Sequence, residues 1–433
     1  MKLEVEIWSP FPPQESGVAD YVEEQLEFLS REFALTLVAE RPEQIDADLR
    51  RRHEVVAPED SDASRLRIYH VGNSPVHGFI YREALRTPGM VVLHEWNLHE
   101  LLLGFAVTGN DFGDYRRQMR REHGERGAIA AETIATALGG RHWTGVFPLN
   151  AEILERALGV VCLSGPTAAR VGSRVPGIPL LHLPHHALLR SNAGNRSEAR
   201  ARLGFEEDTR IVLAPGLGTA SKSLDVARAS LESIRSLVPN LLLVTVGGGP
   251  ARDEGVPGDG EKALGRVDLK TLGDALLAAD VVLALRFPSR GETSGVLMRG
   301  LFAGRAAVVS SGTTADEELP EGVVARVSPG PLETSELAAV LAFVLTDDEA
   351  RGRMERLARE SARARPVGAL TGKLAGFVRE VAAERVALEE KLRKRALRGR
   401  DVRDRVRDDL EAAASSLGLA HLPSNVFERL AGW

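Results

Sequence analysis

The segment FPSRGETSGVLMRGLFAG, residues 287–304, carries the strongest local pattern for chemistry. It follows the apolar run DVVLALR and precedes a helical pattern, which predicts a strand-to-helix turn. At such a turn Thr293, Ser294 and Gly295 expose backbone N–H groups that can bind phosphate or sugar oxygens. Glu292 adds a carboxylate, which repels an anion unless it accepts hydrogen bonds from hydroxyl groups. A ligand with both phosphates and a sugar satisfies both demands, although a simple Ser or Thr helix cap is the favoured interpretation of the isolated segment.

A second glycine-rich turn follows the apolar run in LAPGLGTASKSLDVA, residues 213–227. Gly216 and Gly218 allow the backbone to approach a ligand closely, and Lys222 places a cation near the turn. The pattern is not a P-loop, which ends in Gly-Lys-Ser/Thr, and it lacks the third glycine of a dinucleotide fingerprint. A phosphate-binding lysine and a solvated lysine at a helix start are equally open at this stage.

The first loop of the chain, in PFPPQESGVADYVEEQL, has a similar form. Its prolines end the first strand, Gly17 lies in the turn, and a helix begins near Val18. An ordinary strand-to-helix loop is the simpler interpretation. We nevertheless expect this loop to face Glu292 and Lys222 across a cleft between two domains.

Histidines form a fourth group. VVLHEWNLHELL places His94 at a strand terminus and His99 five residues later. A metal-binding pair on a helix is spaced by three or four residues and needs a third ligand, so we expect no zinc site and no other metal site. A histidine at the carboxyl end of a strand is better placed to bind a substrate hydroxyl. We interpret His123, His185 and His186 as structural or hinge-lining residues.

These residues depend on alternating strands and helices. Apolar runs that alternate with helical stretches are typical of parallel sheets covered on both faces. The runs of the first half are LEVEIW, ALTLVA, RLRIYHVG, GMVVLH and LGVVCLS, and those of the second half are RIVLAPG, LLLVTVGGG, DVVLALR and RAAVVSS. The pattern predicts an α/β fold with two Rossmann-like, doubly wound domains, residues 1–189 and 198–365, that face each other across a cleft. Residues 366–433 form a helical C-terminal segment, and the polar stretch RSNAGNRSE is the predicted linker between the domains.

Composition excludes several classes of protein. The chain has 433 residues, of which 43% are hydrophobic and 27% are charged, as in ordinary globular proteins. Its one cysteine, Cys162, can form neither an internal disulfide nor a cysteine-ligated zinc site. A net charge of −6 argues against a dedicated nucleic-acid binder. The sequence begins without signal-peptide features and contains no run of about 18 apolar residues, so we expect a cytoplasmic enzyme.

In this order, the motifs resemble the retaining GT-B glycosyltransferases of family 4. The resemblance extends to about residue 350, and its segments are SGVADY, YHVGNSPVHGFIY, VVLHEWNLHELL, MRREHGERG, GVVCLSGPTAARV, GLGTASKSLDV, GRVDLKTLGDALLAADVVL and GETSGVLMRGLFAGRAAVVSS. It implies a GT-B fold that transfers a sugar from a nucleotide-diphosphate sugar, with no further cofactor. The acceptor is then a glycan, a lipid-linked glycan or a small molecule.

The resemblance also implies roles for the candidate residues of the second domain, which holds most of the donor. Lys222 resembles the lysine that neutralises the donor diphosphate. Glu292 resembles the first glutamate of the paired-glutamate motif, which contacts sugar hydroxyls. Ser294 and Gly295 then supply amides at the start of a helix.

Further positions carry over in the same way. Gly17 is expected close to the diphosphate, and Val267 and Asp268 in the loop that borders the nucleobase. His94 matches the histidine of the first domain that contacts the donor sugar near the reacting centre. The resemblance implies that the departing phosphate deprotonates the acceptor, so that catalysis needs positioning and charge stabilisation rather than a metal ion.

Two positions depart from the family pattern. Seven residues normally separate the paired glutamates, which places Gly300 where the second would stand. Leu217 replaces an arginine of the lysine loop, and we expect Arg286 or Arg290 to supply the lost charge. These losses leave two alternatives open: a catalytically silent GT-B protein that acts as a scaffold or subunit, and a GT-B nucleotide-sugar epimerase.

The C-terminal segment KLRKRALRGRDVRDRVRDDL predicts a solvated, charged helix because aspartates interrupt its basic residues. Together with MRREHGERG it leaves open a peripheral contact with the inner face of a membrane. The resemblance implies that the first part of the segment 366–433 crosses back onto the N-terminal domain.

Overall fold

The computed structural model describes residues 2–136, 138, 143–216, 222–247 and 260–416, with side chains up to residue 395. The chain divides into two units, each built on one parallel sheet. The first unit contains the chain up to Cys162, residues 167–182, and the chain from Lys373 onward. The second contains residues 163–166 and 183–372.

The sheet of the first unit has seven parallel strands in the order β3-β2-β1-β4-β5-β6-β7. Ile7 of the first strand pairs with Leu37 on one side and with Ile68 on the other. The order therefore reverses beside the first strand, which is where open α/β sheets form a crevice at the carboxyl ends of their strands. The strands are β1 Glu4–Trp8, β2 Ala34–Val38, β3 Glu54–Val56, β4 Leu66–Val71, β5 Met90–Leu93, β6 Gly159–Cys162 and β7 Leu180–His182.

Helices cover this sheet. The helices before the second unit are α1 Gly17–Glu32, α2 Ala47–Arg52, α3 Gly78–Arg86, α4 His99–Thr108, α5 Gly113–Ala135, α6 Trp143–Val146, α7 Ala151–Arg156 and α8 Gly165–Arg174, with single 3₁₀ turns at Pro42–Gln44, Pro58–Asp60 and Pro75–His77. The α1 helix begins where Ser16 accepts a hydrogen bond from the N–H of Val18, and it buries Tyr21 and Leu26. The α5 helix is interrupted at Gly124, whose φ is 60°.

The second unit has a six-stranded parallel sheet in the order β10-β9-β8-β11-β12-β13. Along its central strand, Ile211 and Leu213 join one apolar cluster and Val212 joins the cluster on the opposite face. Burial on both faces explains why this strand reads as a continuous apolar run. The strands are β8 Arg210–Pro215, β9 Leu241–Val246, β10 Glu261–Ala263, β11 Val281–Ala284, β12 Ala306–Ser310 and β13 Ala325–Val327, and the helices are α9 Arg196–Leu203, α10 Leu224–Ile234, α11 Leu269–Ala278, α12 Gly295–Phe302, α13 Thr314–Glu318, α14 Glu333–Thr346 and α15 Asp348–Arg363.

The last described helix, α16 Val367–Ser416, packs on the first unit for much of its length. A Cβ atom on Gly159 of β6 would lie 3.0 Å from the Val381 side chain. Arg385 donates hydrogen bonds to the carbonyl oxygens of Ser64 and Ala63, at 2.6 and 3.0 Å. Helix α16 therefore contacts strand β6 of the sheet and the loop that precedes β4.

A buried ion pair ties α9 to the second sheet. Asp280, immediately before β11, accepts hydrogen bonds from Arg200 at 3.0 Å and from the N–H of Ile211 at 2.7 Å. Both side chains are fully buried. Arg200 also donates to the carbonyl oxygen of Ala278, the last residue of α11, so the guanidinium links α9 to the end of α11 and to the residue before β11.

The predicted α/β fold, with two doubly wound sheet domains and a helical C-terminal stretch, is confirmed. All nine apolar runs contain strands, and Pro366 lies between α15 and α16. The sequence did not predict the strands β3, β7, β10 and β13, each of which has three residues and lies at the edge of its sheet. Among the described helices, none combines the length and apolar character needed to cross a membrane.

The domain boundaries at residues 189, 198 and 365 remain predictions. Within the predicted linker, the N–H groups of Asn192 and Ala193 donate to Asp274 of α11, at 2.8 and 3.0 Å. The Ser191 hydroxyl donates to the same carboxylate. This stretch is thus fastened to the second unit, and α9 begins within its predicted range.

Candidate active site

The carboxyl ends of β8 and β11 bring two cations and one carboxylate together in the second unit. Lys222 Nζ donates to the carbonyl oxygen of Pro215 at 3.0 Å. Arg286 Nε lies 3.3 Å from Glu292 Oε1. The charge of Arg286 also acts on Lys222, which places the guanidinium near both other groups. The N–H of Arg286 donates to Ser310 Oγ at 3.0 Å, so the end of β12 holds the backbone of this residue in place.

Gly216 provides the space that Lys222 occupies. Its φ is +102°, a conformation that favours glycine, and a Cβ atom there would lie 1.8 Å from Lys222 Nζ. From the sequence we expect the backbone at Gly216 and Gly218 to approach a ligand closely. The structure shows that Lys222 Nζ occupies the space that a side chain at position 216 would take, whereas Gly218 and Leu217 lie outside the described residues.

Burial, together with the smaller effect of the nearby positive charge of Arg286, lowers the pKa of Lys222 to about 7. The ammonium group is therefore close to its titration point at neutral pH. An anion that binds beside it would favour the charged form and would raise the pKa again.

The carboxylate of Glu292 accepts a hydrogen bond from the backbone of its own loop. Its Oε2 accepts a hydrogen bond from the N–H of Arg290 at 2.6 Å, while Oε1 faces Arg286. Ser294 is the N-cap of α12 and accepts from the N–H of Leu297 at 3.3 Å. Thr293 is half-buried in the same loop.

Gly295 begins α12, whose first-turn N–H groups have no acceptor within the helix. A Cβ atom on Gly295 would lie 3.3 Å from Nε2 of His185. His185 was interpreted from sequence as structural or hinge-lining, but its ring lies directly beside the start of this helix. The ring is oriented by a 2.7 Å contact between Nδ1 and the carbonyl oxygen of His186.

The position of the absent second glutamate faces the protein core. Gly300 is buried in α12, and a Cβ atom there would lie 3.4 Å from Val282 and 3.6 Å from Leu276. These are ordinary contacts with apolar side chains of β11 and α11. A carboxylate at this position would have to extend past those side chains before reaching a ligand.

Asp268 and Val267 lie at the start of α11. Asp268 is the N-cap, and its carboxylate accepts from the N–H of Thr271 at 2.7 Å, which lowers the pKa of the carboxyl group. Val267 packs, half-buried, against the apolar cluster that contains Ile211. Their expected place beside a nucleobase remains a prediction.

In the first unit, His94 follows β5 and is paired with a second histidine. Its Nε2 lies 3.1 Å from Nδ1 of His70, which is on β4. The ring edge of Tyr21 from α1 packs against His94, with 5.1 Å between the ring centroids. Two strands and one helix therefore fix the position of His94.

A third histidine, His77, contacts the backbone of His70. His77 Nδ1 donates to the carbonyl oxygen of His70 at 3.0 Å. Burial lowers the pKa of His70 to about 3 and that of His77 to about 4, so both rings are neutral near pH 7. A neutral imidazole donates through one nitrogen and accepts through the other, and the contact with His70 therefore restricts the tautomer of His94.

The other predicted positions of this unit differ in accessibility. Gly17 is exposed at the start of α1, and a Cβ atom there would meet no described atom within 4 Å. His99 is buried, with its nitrogens bonded to the carbonyl oxygen of Phe147 and the hydroxyl of Tyr115 at 2.7 and 2.6 Å. His123 contacts the carbonyl oxygen of Pro148. Among the residues that the structure describes, no group of three or more His, Cys, Asp or Glu side chains is placed to hold a metal ion.

Sequence reasoning missed His70, although a signal for it existed. His70 is the penultimate residue of β4, and His94 directly follows β5. The adjoining strands pair Val71 with Leu93, so both histidines lie at the same edge of the sheet. Polar residues at the carboxyl ends of neighbouring parallel strands are expected to meet.

No protein-family model matches the sequence, and no curated protein matches it. Solved structures do resemble the fold. Sucrose-phosphate synthase from Thermosynechococcus elongatus superposes with a TM-score of 0.60 at 15% identity, over 88% of this chain and 100% of that chain. WaaG, a glycosyltransferase involved in lipopolysaccharide biosynthesis, gives 0.55 at 16% identity over 87% and 99%. HepE from Anabaena, in complex with UDP-glucose, gives 0.56 at 12% identity over 87% and 100%.

At such low identity the likeness shows the fold alone. That fold is the GT-B arrangement of two parallel-sheet domains found in these glycosyltransferases. The chain spans nearly the whole length of each of the three neighbours.

Proposed function

We propose that the protein is a retaining glycosyltransferase that uses a nucleotide-diphosphate sugar and needs no metal ion. Its acceptor is a glycan, a lipid-linked glycan or a small molecule. The observation that carries the proposal is the grouping of Lys222, Arg286 and Glu292 at the carboxyl ends of two neighbouring strands. The fold is shared with HepE, whose solved complex contains UDP-glucose, and this supports a nucleotide-sugar donor.

The two cations suit the diphosphate of such a donor. When the sugar leaves, negative charge develops on the terminal phosphate, and fixed positive groups stabilise it without reorganisation. Lys222 and Arg286 supply this charge, and the first-turn amides of α12 add hydrogen bonds to phosphate oxygens. Arg286 thereby compensates for Leu217, which stands where the family has an arginine.

The carboxylate suits the sugar. Glu292 is an acceptor for sugar hydroxyls, and its contacts with Arg286 and with the N–H of Arg290 orient it. Because it is turned toward a cation, the carboxylate does not face the diphosphate as an isolated negative charge. One loop therefore serves the two chemically different ends of the donor.

His94 is proposed to bind a hydroxyl of the donor sugar. In the transfer, the bond between the anomeric carbon and the phosphate oxygen breaks, and a new bond forms to the acceptor oxygen on the same face. The acceptor proton passes to the departing phosphate. The protein supplies orientation and charge stabilisation, so no nucleophilic side chain is needed.

A catalytically silent GT-B protein that acts as a scaffold or subunit is the second candidate. The observation that favours it is Gly300, which lies against Val282 and Leu276 and carries no carboxylate for the ribose. Such a protein would retain the fold and would lack turnover.

A screen of nucleotide sugars separates these functions. UDP-, GDP-, ADP- and dTDP-linked sugars are added to the full chain, and the melting temperature is recorded, since a ligand of the native state raises it. We expect at least one donor to raise the melting temperature of the wild type and to lose this effect in Lys222→Ala. The matched control, Lys373→Ala, removes an exposed lysine of α16 and keeps the effect.

Turnover completes the test. Release of the nucleotide in the presence of a glycan library supports the transferase. Binding without release supports the silent protein, and no binding by any donor, with Lys222→Ala equal to Lys373→Ala, rejects both nucleotide-dependent functions.

A further inference from the structure

An arginine cluster, formed by Arg196, Arg200 and Arg210, lies at the amino-terminal end of the second sheet. Arg210 is the first residue of β8, whereas Pro215, which contacts Lys222, is the last. With a rise of about 3.3 Å per residue, the two ends of this strand lie roughly 17 Å apart. The cluster is therefore separate from the candidate active site.

The cluster surrounds the carboxylate of Asp280, which is fully buried. Arg200 donates to Oδ2 at 3.0 Å, and the N–H of Ile211 donates to the same oxygen at 2.7 Å. Arg196 donates to Oδ1, and Nη1 of Arg210 lies 3.9 Å from that oxygen. Three positive charges therefore face one negative charge, which the fully buried Arg200 already balances.

Contacts with helix ends account for the buried arginines of this region. The carbonyl oxygens at the end of a helix carry partial negative charge, and arginines bind them. Arg200 donates to Ala278, the last residue of α11. Arg305, which is also buried, donates to Ala303, directly after α12. Arg200 and Arg305 are therefore explained as structural residues.

Arg196 and Arg210 lack contacts of this kind. Among the residues that the structure describes, neither side chain donates to a carbonyl oxygen, and the two side chains are 31% and 33% exposed. Apart from Asp280, one described carboxylate approaches them, that of Asp348, which lies 3.6 Å from Nη2 of Arg210. Asp348 is already paired with Arg351. Most N–H groups of Arg196 and Arg210 are therefore available to a further acceptor.

The charge of Arg196 is placed unfavourably. Arg196 begins α9, and the dipole of a helix disfavours a cation at its start. Burial lowers the pKa of Arg305, which Glu355 opposes, and the charges of Arg196 and Arg359 lower it further. Burial lowers the pKa of Arg200 as well, and Arg196 adds to this effect. Because arginine stays charged in proteins, an anion bound beside Arg196 would relieve the repulsion among these cations.

The charges around Arg196 and Arg210 do not remove this excess. The other described groups that contact the cluster or act on it electrostatically balance in number, with four arginines and four carboxylates. They are Arg200, Arg305, Arg351 and Arg359, and Glu207, Asp280, Asp348 and Glu355. Arg196 and Arg210 therefore leave two positive charges in excess, and both are partly exposed.

We propose that Arg196 and Arg210 bind a small phosphate-bearing anion, either inorganic phosphate or the phosphate group of a monoester. Both guanidiniums reach the same oxygen of Asp280, so one phosphate group can accept hydrogen bonds from both. A long polyanion is disfavoured because it would meet the exposed carboxylates of Glu207 and Asp348. The proposal is independent of the proposed glycosyltransferase function, and a failed nucleotide-sugar screen would leave it standing.

Calorimetry on the full chain carrying Lys222→Ala tests the proposal, because Lys222 offers a second place for phosphate. The probes are sodium phosphate and glycerol 3-phosphate at constant ionic strength, with sodium acetate as an anion that lacks a phosphate group. We expect a phosphate probe to bind saturably, with one molecule per chain, and acetate not to bind. Tighter binding of glycerol 3-phosphate would identify a monoester as the ligand, and tighter binding of phosphate would identify the inorganic ion.

Arg196→Gln and Arg210→Gln each remove one positive charge. Each should weaken phosphate binding about tenfold, the effect of one lost charge-assisted hydrogen bond. The matched control is Arg353→Gln, which makes the same change in net charge at an exposed site of α15 and should leave the affinity unchanged. The proposal is overturned if neither phosphate probe binds saturably, if acetate binds equally well, or if the three variants bind phosphate with equal affinity.

Hydrogen exchange followed by mass spectrometry gives a second readout that requires no substitution in the cluster. Phosphate should increase protection at the start of α9 and at the start of β8, where Arg196 and Arg210 lie. Protection confined to other segments would assign the anion to another site and would reject the proposal.

Discussion

His70 and His94 are joined through their rings, with 3.1 Å between Nδ1 of His70 and Nε2 of His94. Because burial keeps His70 neutral near pH 7, a single proton lies between these two nitrogens. The contact therefore orients His94 and couples the tautomers of the two rings. In the proposed function, His70 is then a positioning residue that acts on the substrate through His94.

The variant His70→Phe tests this assignment because phenylalanine keeps a ring in the buried site and removes the nitrogen. We expect kcat/KM for sugar transfer to fall about tenfold, the effect of one lost hydrogen bond, while UDP binding is unchanged. The ¹⁵N shifts of the His94 ring should change from those of one tautomer to an average of two. The control, His53→Phe, alters a half-buried histidine in the loop before β3.

A structural role alone would lower stability without changing the state of the His94 ring. Unchanged ¹⁵N shifts in His70→Phe would therefore refute the assignment. Partial recovery of turnover in His70→Gln, whose amide can again bond His94, would support it.

The titration of Lys222 predicts a pH dependence of donor binding. In the free protein its pKa is lowered to about 7, and a bound diphosphate raises it, so binding takes up a proton above pH 7. The Kd for UDP should therefore increase between pH 7.5 and 8.5, by up to about tenfold per pH unit. The terminal phosphate of UDP loses its last proton near pH ~6 and does not titrate in this range.

Calorimetry in buffers of different ionisation enthalpy measures this proton uptake directly. Lys222→Arg keeps a charge that does not titrate, and it should remove the pH dependence while UDP still binds. Lys222→Met should weaken binding at every pH. A steep pH dependence that survives in Lys222→Arg would assign the proton to another group.

Gly216→Ala should abolish donor binding through its effect on Lys222. The new Cβ atom would lie 1.8 Å from Nζ, so the lysine must leave its position beside Pro215. Gly312→Ala is the matched control, since Gly312 also has positive φ but a Cβ atom there has no described atom within 4 Å. Both variants should lose about 1–3 kcal/mol of stability from backbone strain. UDP binding by calorimetry should be lost only in Gly216→Ala, and equal binding by the two would contradict the explanation.

Much of this arrangement could be predicted from the sequence, because it follows from strand ends. His94 follows its strand directly, and Lys222 and Glu292 belong to the segments that follow β8 and β11, where polar residues reach the ligand edge of a parallel sheet. His70 was not predicted as a site residue. It lies between Tyr69 and Val71, which are both buried, and it therefore resembles a residue in the interior of a strand. The periodicity gives no sign that its ring reaches the next strand.

Other features depend on packing that a one-dimensional pattern does not contain. Asp268 has the spacing of a helix cap, yet only the structure shows its carboxylate used on Thr271. Arg286 and Arg290 were both candidates to replace the positive charge that Leu217 lacks. The guanidinium of Arg286 contacts the carboxylate of Glu292, whereas Arg290 donates its backbone N–H to the same carboxylate. The short strand β3 lies at the edge of its sheet and is paired on one side only. Its residues are exposed or half-buried, so they do not form the apolar run that predicts a buried strand.

The ion pair between Asp280 and Arg200 predicts the largest loss of stability among the variants considered. Removing one partner of a buried pair leaves an uncompensated charge, so Asp280→Ala should lower the free energy of unfolding of the second unit by about 3–5 kcal/mol. Hydrogen exchange followed by mass spectrometry measures this locally, as lost protection in β8 and α9. Asp225→Ala, at an exposed site on α10, should leave protection unchanged. Unchanged protection of β8 and α9 in Asp280→Ala would contradict this prediction.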